Sequence, residues 1–208
     1  MCMPTILHRH KESSERLFQI AEGQQGYFTA KQAEEAGFDQ KNHHYHARSG
    51  NWIRECRGVY RLVKFPVAEH PDMIAWSLWS RDRTDKPQGV YSHETALSVY
   101  GLSDLMPAKL HMTVPPKFRR NAAIPGVLVL HRSRLHDDEI EAMQGFRVTL
   151  PLKTIADLLA AGYISADHLQ QAVRQAAQRG LISRSKLAAA TRIADAVKKK
   201  IEELMKAS

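Results

Sequence analysis

The sequence predicts an α+β chain of two domains, and three observations support this fold class. Residues 26–62 hold two short helical segments joined by a tight glycine turn, and a small basic hairpin follows them directly. The later part of the chain mixes β-rich segments with helical ones. We therefore predict an N-terminal winged helix-turn-helix domain at 1–66, followed at 71–208 by a mixed α+β domain with a small sheet and a helical C-terminal end.

Composition agrees with this organisation. A chain of 208 residues has room for one or two domains with cores, and its formal charge of +8 favours polyanionic partners. No apolar run approaches the ~20 residues of a membrane span, and the N-terminus lacks a signal-peptide core. The only cysteines, Cys2 and Cys56, have no CxxC partner. These features predict a cytoplasmic protein without a membrane partner.

Local signals define the first domain. Residues 1–10 resemble a loose basic arm, and Ser13 or Ser14 is expected to cap a first helix. Thr29 and Gln32 form a capping-box pair that opens the next helix. Gly37 should end that helix, because the position needs left-handed dihedrals, and Asp39 should cap the following one.

The second short helix, at about 40–49, divides into two faces. Ala47 is its small apolar residue, and His43 and His46 lie on roughly the same side, which should face the domain. The opposite side carries side chains suited to bases and phosphates, namely Gln40, Lys41, His44, Tyr45 and Arg48, with Asn42 at the boundary. An ordinary solvated helix face is the alternative interpretation.

The hairpin that follows favours DNA over a solvated face. Arg54, Arg57 and Arg61 surround Gly58, and only Glu55 opposes their charge. A basic wing beside a polar helix is an arrangement that contacts phosphates. The histidines of the helix raise the separate possibility of a metal site, but no third ligand follows at a usual spacing, so we expect no metal.

Two prolines, Pro66 and Pro71, place the domain boundary near 66–71. Beyond it we predict a heavily buried helix at 72–80, a helix at 93–100 begun by Ser92, and strands at 110–114, 127–130 and 146–150. Helices at 152–160, 165–178 and 183–206 complete the chain. In the last of these, an apolar stripe from Leu187 to Leu204 should pack within the molecule, with a dimer contact as the alternative.

The charge of the second domain is uneven. No acidic residue occurs from Leu105 to His136, and the loop between the first two strands carries Lys117, Arg119 and Arg120. This basic loop could extend the contact with DNA or meet another polyanion such as RNA. A solvated turn explains the same residues equally well.

Catalysis is not expected. The acidic cluster at 136–141 suggests a metal-dependent nuclease, but that chemistry needs a following strand with Glu-x-Lys or Asp-x-Lys, and residues 146–150 read FRVTL. The acidic residues Asp137, Asp138 and Glu139 are instead expected to favour a helix N-terminus. No P-loop, dinucleotide motif or GxSxG elbow is present. We therefore expect neither an enzyme nor a cofactor.

Several segments, in order along nearly the whole chain, resemble the AbiE-type antitoxins of the AbiEi family. They are FTAKQAEEAG at 28–37, RGVYRL at 57–62, YSHETALSVYGL at 91–102, LHMTV at 110–114 and TLPLKTIADLL at 149–159. The histidines at 43 and 46 depart from the family, in which aliphatic residues are usual. Some relatives carry a nuclease-like C-terminal extension, which we do not expect here.

The resemblance implies a type IV toxin–antitoxin system linked to phage defence. The first domain would bind inverted repeats in operator DNA as two copies on two half-sites and repress its own operon. The second would neutralise a nucleotidyltransferase-like toxin, directly or indirectly. The alternative is a winged-helix transcriptional regulator without a toxin partner, whose C-terminal domain senses a ligand or mediates assembly.

Overall fold

The structure, a computed structural model, describes residues 6–121, 123–162 and 164–206, with side chains from residue 10 onward. Contacts divide the chain into two compact units. The first comprises Met1–Gln88 together with the short turn Met143–Phe146, and the second comprises Gly89–Ala142 and Arg147–Ser208. The predicted α+β class, with a helix-turn-helix at the N-terminal end, is confirmed.

The first unit has the element order of a winged helix. Its elements are α1 (Ile6–Glu22), β1 (Tyr27–Thr29), α2 (Ala30–Glu35), a 3₁₀ turn (Gln40–Asn42), α3 (His43–Arg48), β2 (Trp52–Cys56), β3 (Val59–Leu62) and α4 (Pro71–Trp79). The three strands form an antiparallel sheet in the order β1-β3-β2. An aromatic core of Phe28, Phe38, Trp52 and Tyr60 lies between this sheet and the helices.

The start of the first helix differs from the prediction. Helix α1 already includes residues 6–10, which were expected to form a loose arm, and residues 1–5 lie outside the described chain. Neither Ser13 nor Ser14 caps it. Ser14 Oγ instead donates to the carbonyl of His10 at 2.8 Å, which satisfies the hydroxyl inside the helix.

Helix α4 belongs to the first unit, so the compact units do not divide near 66–71. It contacts β1, β2 and β3, and it buries Met73, Ile74, Leu78 and Trp79. The predicted heavy burial of this helix is therefore confirmed. The positions of Pro66 and Pro71 could not predict which sheet α4 packs against, because an apolar helix can cover whichever sheet offers an open face.

The second unit contains a five-stranded mixed sheet. Its elements are β4 (Val90–Tyr91), α5 (His93–Tyr100), β5 (Leu110–Val114), β6 (Leu128–Arg132), a 3₁₀ turn (Asp137–Glu139), β7 (Ile140–Ala142), β8 (Arg147–Thr149), α6 (Pro151–Ala161), α7 (Ala166–Gln178), α8 (Arg184–Ala189) and α9 (Asp195–Lys206). The strand order is β6-β5-β4-β8-β7, with β5–β6 and β4–β8 parallel. The acidic residues Asp137, Asp138 and Glu139 form the first and only turn of a short 3₁₀ helix that leads into β7.

The predicted final helix at 183–206 is wrong as a single element, because it is broken between α8 and α9. In one straight helix Leu187 and Ile201 would lie about 21 Å apart, at about 1.5 Å per residue. The break lets both side chains enter the same core. Val197 and Leu204 pack against that core as well, so the predicted intramolecular role of the stripe is confirmed.

Candidate nucleic-acid interface

The predicted helix signals of the first unit are present as hydrogen bonds. Thr29 N–H donates to Gln32 Oε1 at 2.8 Å, and Gln32 N–H donates back to Thr29 Oγ1 at 3.1 Å. Gly37 has φ +103 after the end of α2, and Asp39 Oδ1 accepts from Lys41 N–H at 2.9 Å. The capping box therefore begins α2, Gly37 follows its end, and Asp39 caps the 3₁₀ turn that leads into α3.

Two histidines of α3 are turned inward, as predicted. His43 is 3% exposed, and its Nε2 lies 3.2 Å from the Phe38 carbonyl oxygen, to which it donates. The half-buried His46 ring stacks on Trp52 with centroids 4.6 Å apart. Burial, followed by the nearby charges of His43 and His10, lowers the pKa of His46. Both histidines therefore serve the core of the unit.

The opposite face of α3 and its preceding turn is exposed to solvent. It consists of Gln40, Lys41, Asn42, His44, Tyr45 and Arg48. The Tyr45 side chain is 57% exposed although it is large and aromatic. Among the described residues, neither Lys41 nor Arg48 takes part in a salt bridge. This face thus offers hydrogen-bond donors and cationic groups to a partner.

The wing presents two exposed arginines. Arg54 lies on β2, and Arg57 occupies the two-residue turn with Gly58, whose φ of +74 suits glycine. A β-bulge separates Arg54 from Cys56 in the pairing of β2 with β3. Both arginines extend the basic character of the α3 face.

Arg61 differs from the other two wing arginines. Its Nε donates to Glu55 Oε1 at 2.9 Å, and its side chain is only 14% exposed. The guanidinium also lies 6.0 Å from the Tyr27 ring centroid. Its charge is largely compensated within the wing, so its predicted DNA contact has less structural support than those of Arg54 and Arg57.

The basic loop of the second unit is anchored rather than free. Phe118 is 2% exposed, and Arg132 Nη1 donates to the carbonyls of Phe118 at 2.8 Å and Pro116 at 3.2 Å. Lys117 and Arg119 flank the buried ring and are exposed, while Arg120 is half-buried. The backbone that carries Lys117 and Arg119 is therefore anchored, while both side chains are exposed to solvent.

A histidine cluster in the second unit was not predicted. His93 and His131 stack with centroids 3.7 Å apart, and His111 Nδ1 lies 3.1 Å from His131 Nε2. Glu94 Oε2 lies 3.6 Å from His111 Nε2. The residues come from α5, β5 and β6, so the parallel pairing of β5 with β6 and the packing of α5 on β5 bring them together. Among the described residues, no group of three or more ligating side chains has an arrangement that could hold a metal ion.

Burial dominates the titration of this cluster. Burial, and then the charges of His131, His111 and Lys153, lowers the pKa of His93 to about 3. Burial also lowers the pKa of His111 and, with a further contribution from His111, that of His131. The folded unit therefore disfavours a proton on each of the three rings.

The acidic cluster takes part in structural contacts. Asp138 Oδ2 accepts from Arg192 Nη1 at 2.7 Å, and this hydrogen bond lowers the pKa of Asp138. Glu139 Oε2 accepts from the His136 N–H at 2.9 Å. Near them, the first turn of α6 and the connection between α8 and α9 line a cavity of about 420 Å³.

The helix-turn-helix, the exposed polar face of α3 and the basic wing together give the first unit the architecture of a winged helix. Residues 15–63 match the sequence profile of the family described as "Transcriptional regulator, AbiEi antitoxin". The predicted resemblance to AbiEi antitoxins is thereby confirmed for a segment that runs from the middle of α1 to just beyond β3. Among curated proteins, none matches this chain.

A solved structure supports the fold over a longer stretch. The crystal structure of the RV2827C protein from Mycobacterium tuberculosis is similar to this chain with a TM-score of 0.57. The similarity covers 93% of this chain and 76% of that one, at 11% sequence identity. At this identity the likeness concerns the fold alone. No helix among the described residues is long and apolar enough to cross a membrane.

Proposed function

We propose that this protein is an antitoxin that represses its own operon and neutralises a nucleotidyltransferase-like toxin, as part of a type IV system for phage defence. The observation that carries the proposal is the exposed polar face of α3 beside the basic wing, within the segment that matches the AbiEi profile. The resemblance of later segments supports the toxin partner. The protein would act in the cytoplasm without catalysis or cofactor.

On operator DNA, α3 enters the major groove and the wing follows the backbone. Arg48 and Gln40 face base edges, where Arg suits guanine and Gln suits adenine. Arg54 and Arg57 neutralise phosphates. Two copies on two half-sites of an inverted repeat would occlude the promoter. Lys117, Arg119 and Arg120 are candidates for an additional phosphate contact from the second unit.

Two single substitutions separate base reading from phosphate contact. Arg48→Ala should weaken operator binding by about 1–3 kcal/mol and narrow the difference between operator and unrelated DNA. Arg57→Ala should weaken binding to all sequences alike and flatten the salt dependence by about one unit of slope. Fluorescence anisotropy across a series of salt concentrations measures both quantities. Unchanged operator affinity in Arg48→Ala would refute the assigned face of α3.

Toxin neutralisation is tested by co-expression with the neighbouring nucleotidyltransferase-like gene, with the antitoxin under a constitutive promoter. The full chain should restore growth. The double variant Arg48→Ala/Arg57→Ala should restore growth equally, because we assign neutralisation to the second domain rather than to DNA binding. A double variant that no longer rescues growth, although it accumulates normally, would refute that division of labour.

A second candidate function is a transcriptional regulator whose second domain senses a ligand. The observation in its favour is the 420 Å³ cavity, a size typical of small-molecule sites. Lys153 and Arg192 are among its lining residues, together with apolar side chains. Absence of a toxin gene beside this one, with operator binding intact, would favour this candidate.

A further inference from the structure

The turn of the wing is tied to two helices at a single carbonyl. Gly58 O accepts from the N–H of Ala30, the first residue of α2, at 3.0 Å. It also accepts from Arg81 Nη2 at 3.1 Å. The first N–H groups of a helix have no partner inside it, so the wing turn provides one for α2.

Arg81 connects this carbonyl to the end of α4. Its Nη1 donates to Leu78 O at 2.9 Å, close to the C-terminus of that helix, where a positive charge is favourable. Its Nε pairs with Asp85 Oδ1 at 2.8 Å. The side chains of Arg81 and Asp85 are 14% and 11% exposed, so water screens their interaction only weakly.

Asp85 completes the connection to the helix-turn-helix. Its Oδ2 accepts a hydrogen bond from Thr29 Oγ1, the side chain that caps α2. Asp85 has φ +67, a left-handed conformation that is uncommon outside glycine. Asp82 Oδ1 accepts from the N–H groups of Thr84 and Lys86, at 2.8 and 3.1 Å, and so shapes this loop. We call Thr29, Gly58, Arg81 and Asp85 the wing clamp.

Glycine at position 58 is part of the clamp. A Cβ at this position would lie 2.9 Å from Arg81 Nη2, and the backbone has φ +74. A side chain at this position would therefore strain the backbone and require the Arg81 guanidinium to shift. Arg81 and Asp85 both lie beyond the segment 15–63 that matches the family profile.

We infer that Arg81 and Asp85 are positioning residues that fix the wing against α2 and so place Arg57 for its phosphate contact. The inference rests on the proposed DNA binding. Neither residue is required to touch DNA. Their effect is to hold the turn that carries Arg57 in one orientation before the DNA arrives, which reduces the ordering needed on binding.

Asp85→Asn tests the inference, because the change in overall charge and the loss of the wing clamp predict opposite changes in DNA affinity. The substitution removes one negative charge, so general electrostatics predicts tighter binding by a chain that already has a formal charge of +8. Loss of the clamp predicts weaker binding, on the order of tenfold, as for one lost charge-assisted contact. Asparagine tolerates left-handed dihedrals, so the backbone at this position is kept.

Coupling to Arg57 shows whether the effect passes through the wing. The salt slope of Asp85→Asn should fall to that of Arg57→Ala, and the double variant should bind no more weakly than Arg57→Ala alone. Arg83→Ala is the matched control, because it removes a cation from the same loop while its side chain is exposed. Arg83→Ala should change the salt slope less than Asp85→Asn does. Any binding free energy that it loses should add to the loss caused by Arg57→Ala.

Hydrogen exchange at the Ala30 amide gives a readout without DNA. This N–H donates to Gly58 O, so its protection should fall in Asp85→Asn and in Arg81→Gln, and persist in Arg83→Ala. If Asp85→Asn folds poorly, Arg81→Gln takes its place in the binding experiments. The inference is overturned if Asp85→Asn binds operator DNA as tightly as the wild type or more tightly. It is also overturned if the binding free energy lost in Asp85→Asn adds fully to that lost in Arg57→Ala. Failure of the wild-type chain to bind operator DNA would instead refute the proposed function.

Discussion

Trp52→Ala is expected to destabilise the first unit by about 3–5 kcal/mol, the range for removing a large buried aromatic side chain. Trp52 is 4% exposed and lies at the centre of the aromatic core. Its ring meets Phe28 at 5.0 Å, Phe38 at 5.2 Å and His46 at 4.6 Å between centroids. Removal of the ring would leave a cavity between α3 and the wing. Operator binding should therefore be lost together with the stability of the first unit.

Urea unfolding followed by tryptophan fluorescence measures this change. The chain has 3 tryptophans, and Trp52, Trp76 and Trp79 all belong to the first unit, so the remaining two report on that unit. Trp76→Ala is the matched control, because Trp76 is only partly buried and should cause a smaller loss. Equal losses in the two variants would contradict the central place of Trp52.

Acidification from pH 6.5 to 5.5 is expected to destabilise the second unit through the histidine cluster. The folded unit lowers the pKa of His93 to about 3, whereas an unfolded histidine titrates near 6.5. The unfolded chain therefore binds more protons in this interval, and stability falls as the pH falls. His93 alone contributes about 1 kcal/mol over this step, and His111 and His131 act in the same direction.

His93→Asn isolates this effect. Asparagine tolerates the left-handed dihedrals of His93, which has φ +54. Partly buried Asp157 acts in the opposite direction, because burial raises its pKa, but it is present in both proteins and cancels in the comparison. Hydrogen exchange of peptides from β5 and β6, followed by mass spectrometry, should show a weaker pH dependence in the variant.

His44→Gln is the control for the pH experiment, because it removes an exposed histidine from the first unit. It should leave the exchange of β5 and β6 unchanged at every pH. A loss of stability between pH 6.5 and 5.5 that is as large in His93→Asn as in the wild type would show that His93 accepts a proton without strain, contrary to the direction of its lowered pKa.

The helix-turn-helix could be predicted because its signals are local. Thr29 and Gln32 are three residues apart, and Gly37 and Asp39 act on neighbouring backbone groups. The inward positions of His43 and His46 followed from helical periodicity. The short strands β4 and β7, of 2 and 3 residues, were not predicted, because they are too brief to show an alternating pattern.

The candidate interface was predicted less completely than the helices that carry it. Exposure of Arg48, Arg54 and Arg57 agrees with the sequence, whereas the pairing of Arg61 with Glu55 depends on the cross-strand geometry of the wing. Residue type gives the charge of a side chain. It does not say which neighbour already neutralises that charge.

The sequence by itself determined the class of the first domain, the capping residues Thr29 and Asp39 and the basic character of its wing. These depend on interactions within a few residues, which leave patterns in the chain. The tertiary structure alone decided that α4 joins the first unit, that the last helix breaks and that three histidines meet. Thr29 and Asp85 are 56 residues apart, and contacts of this kind arise only when packing brings distant segments together.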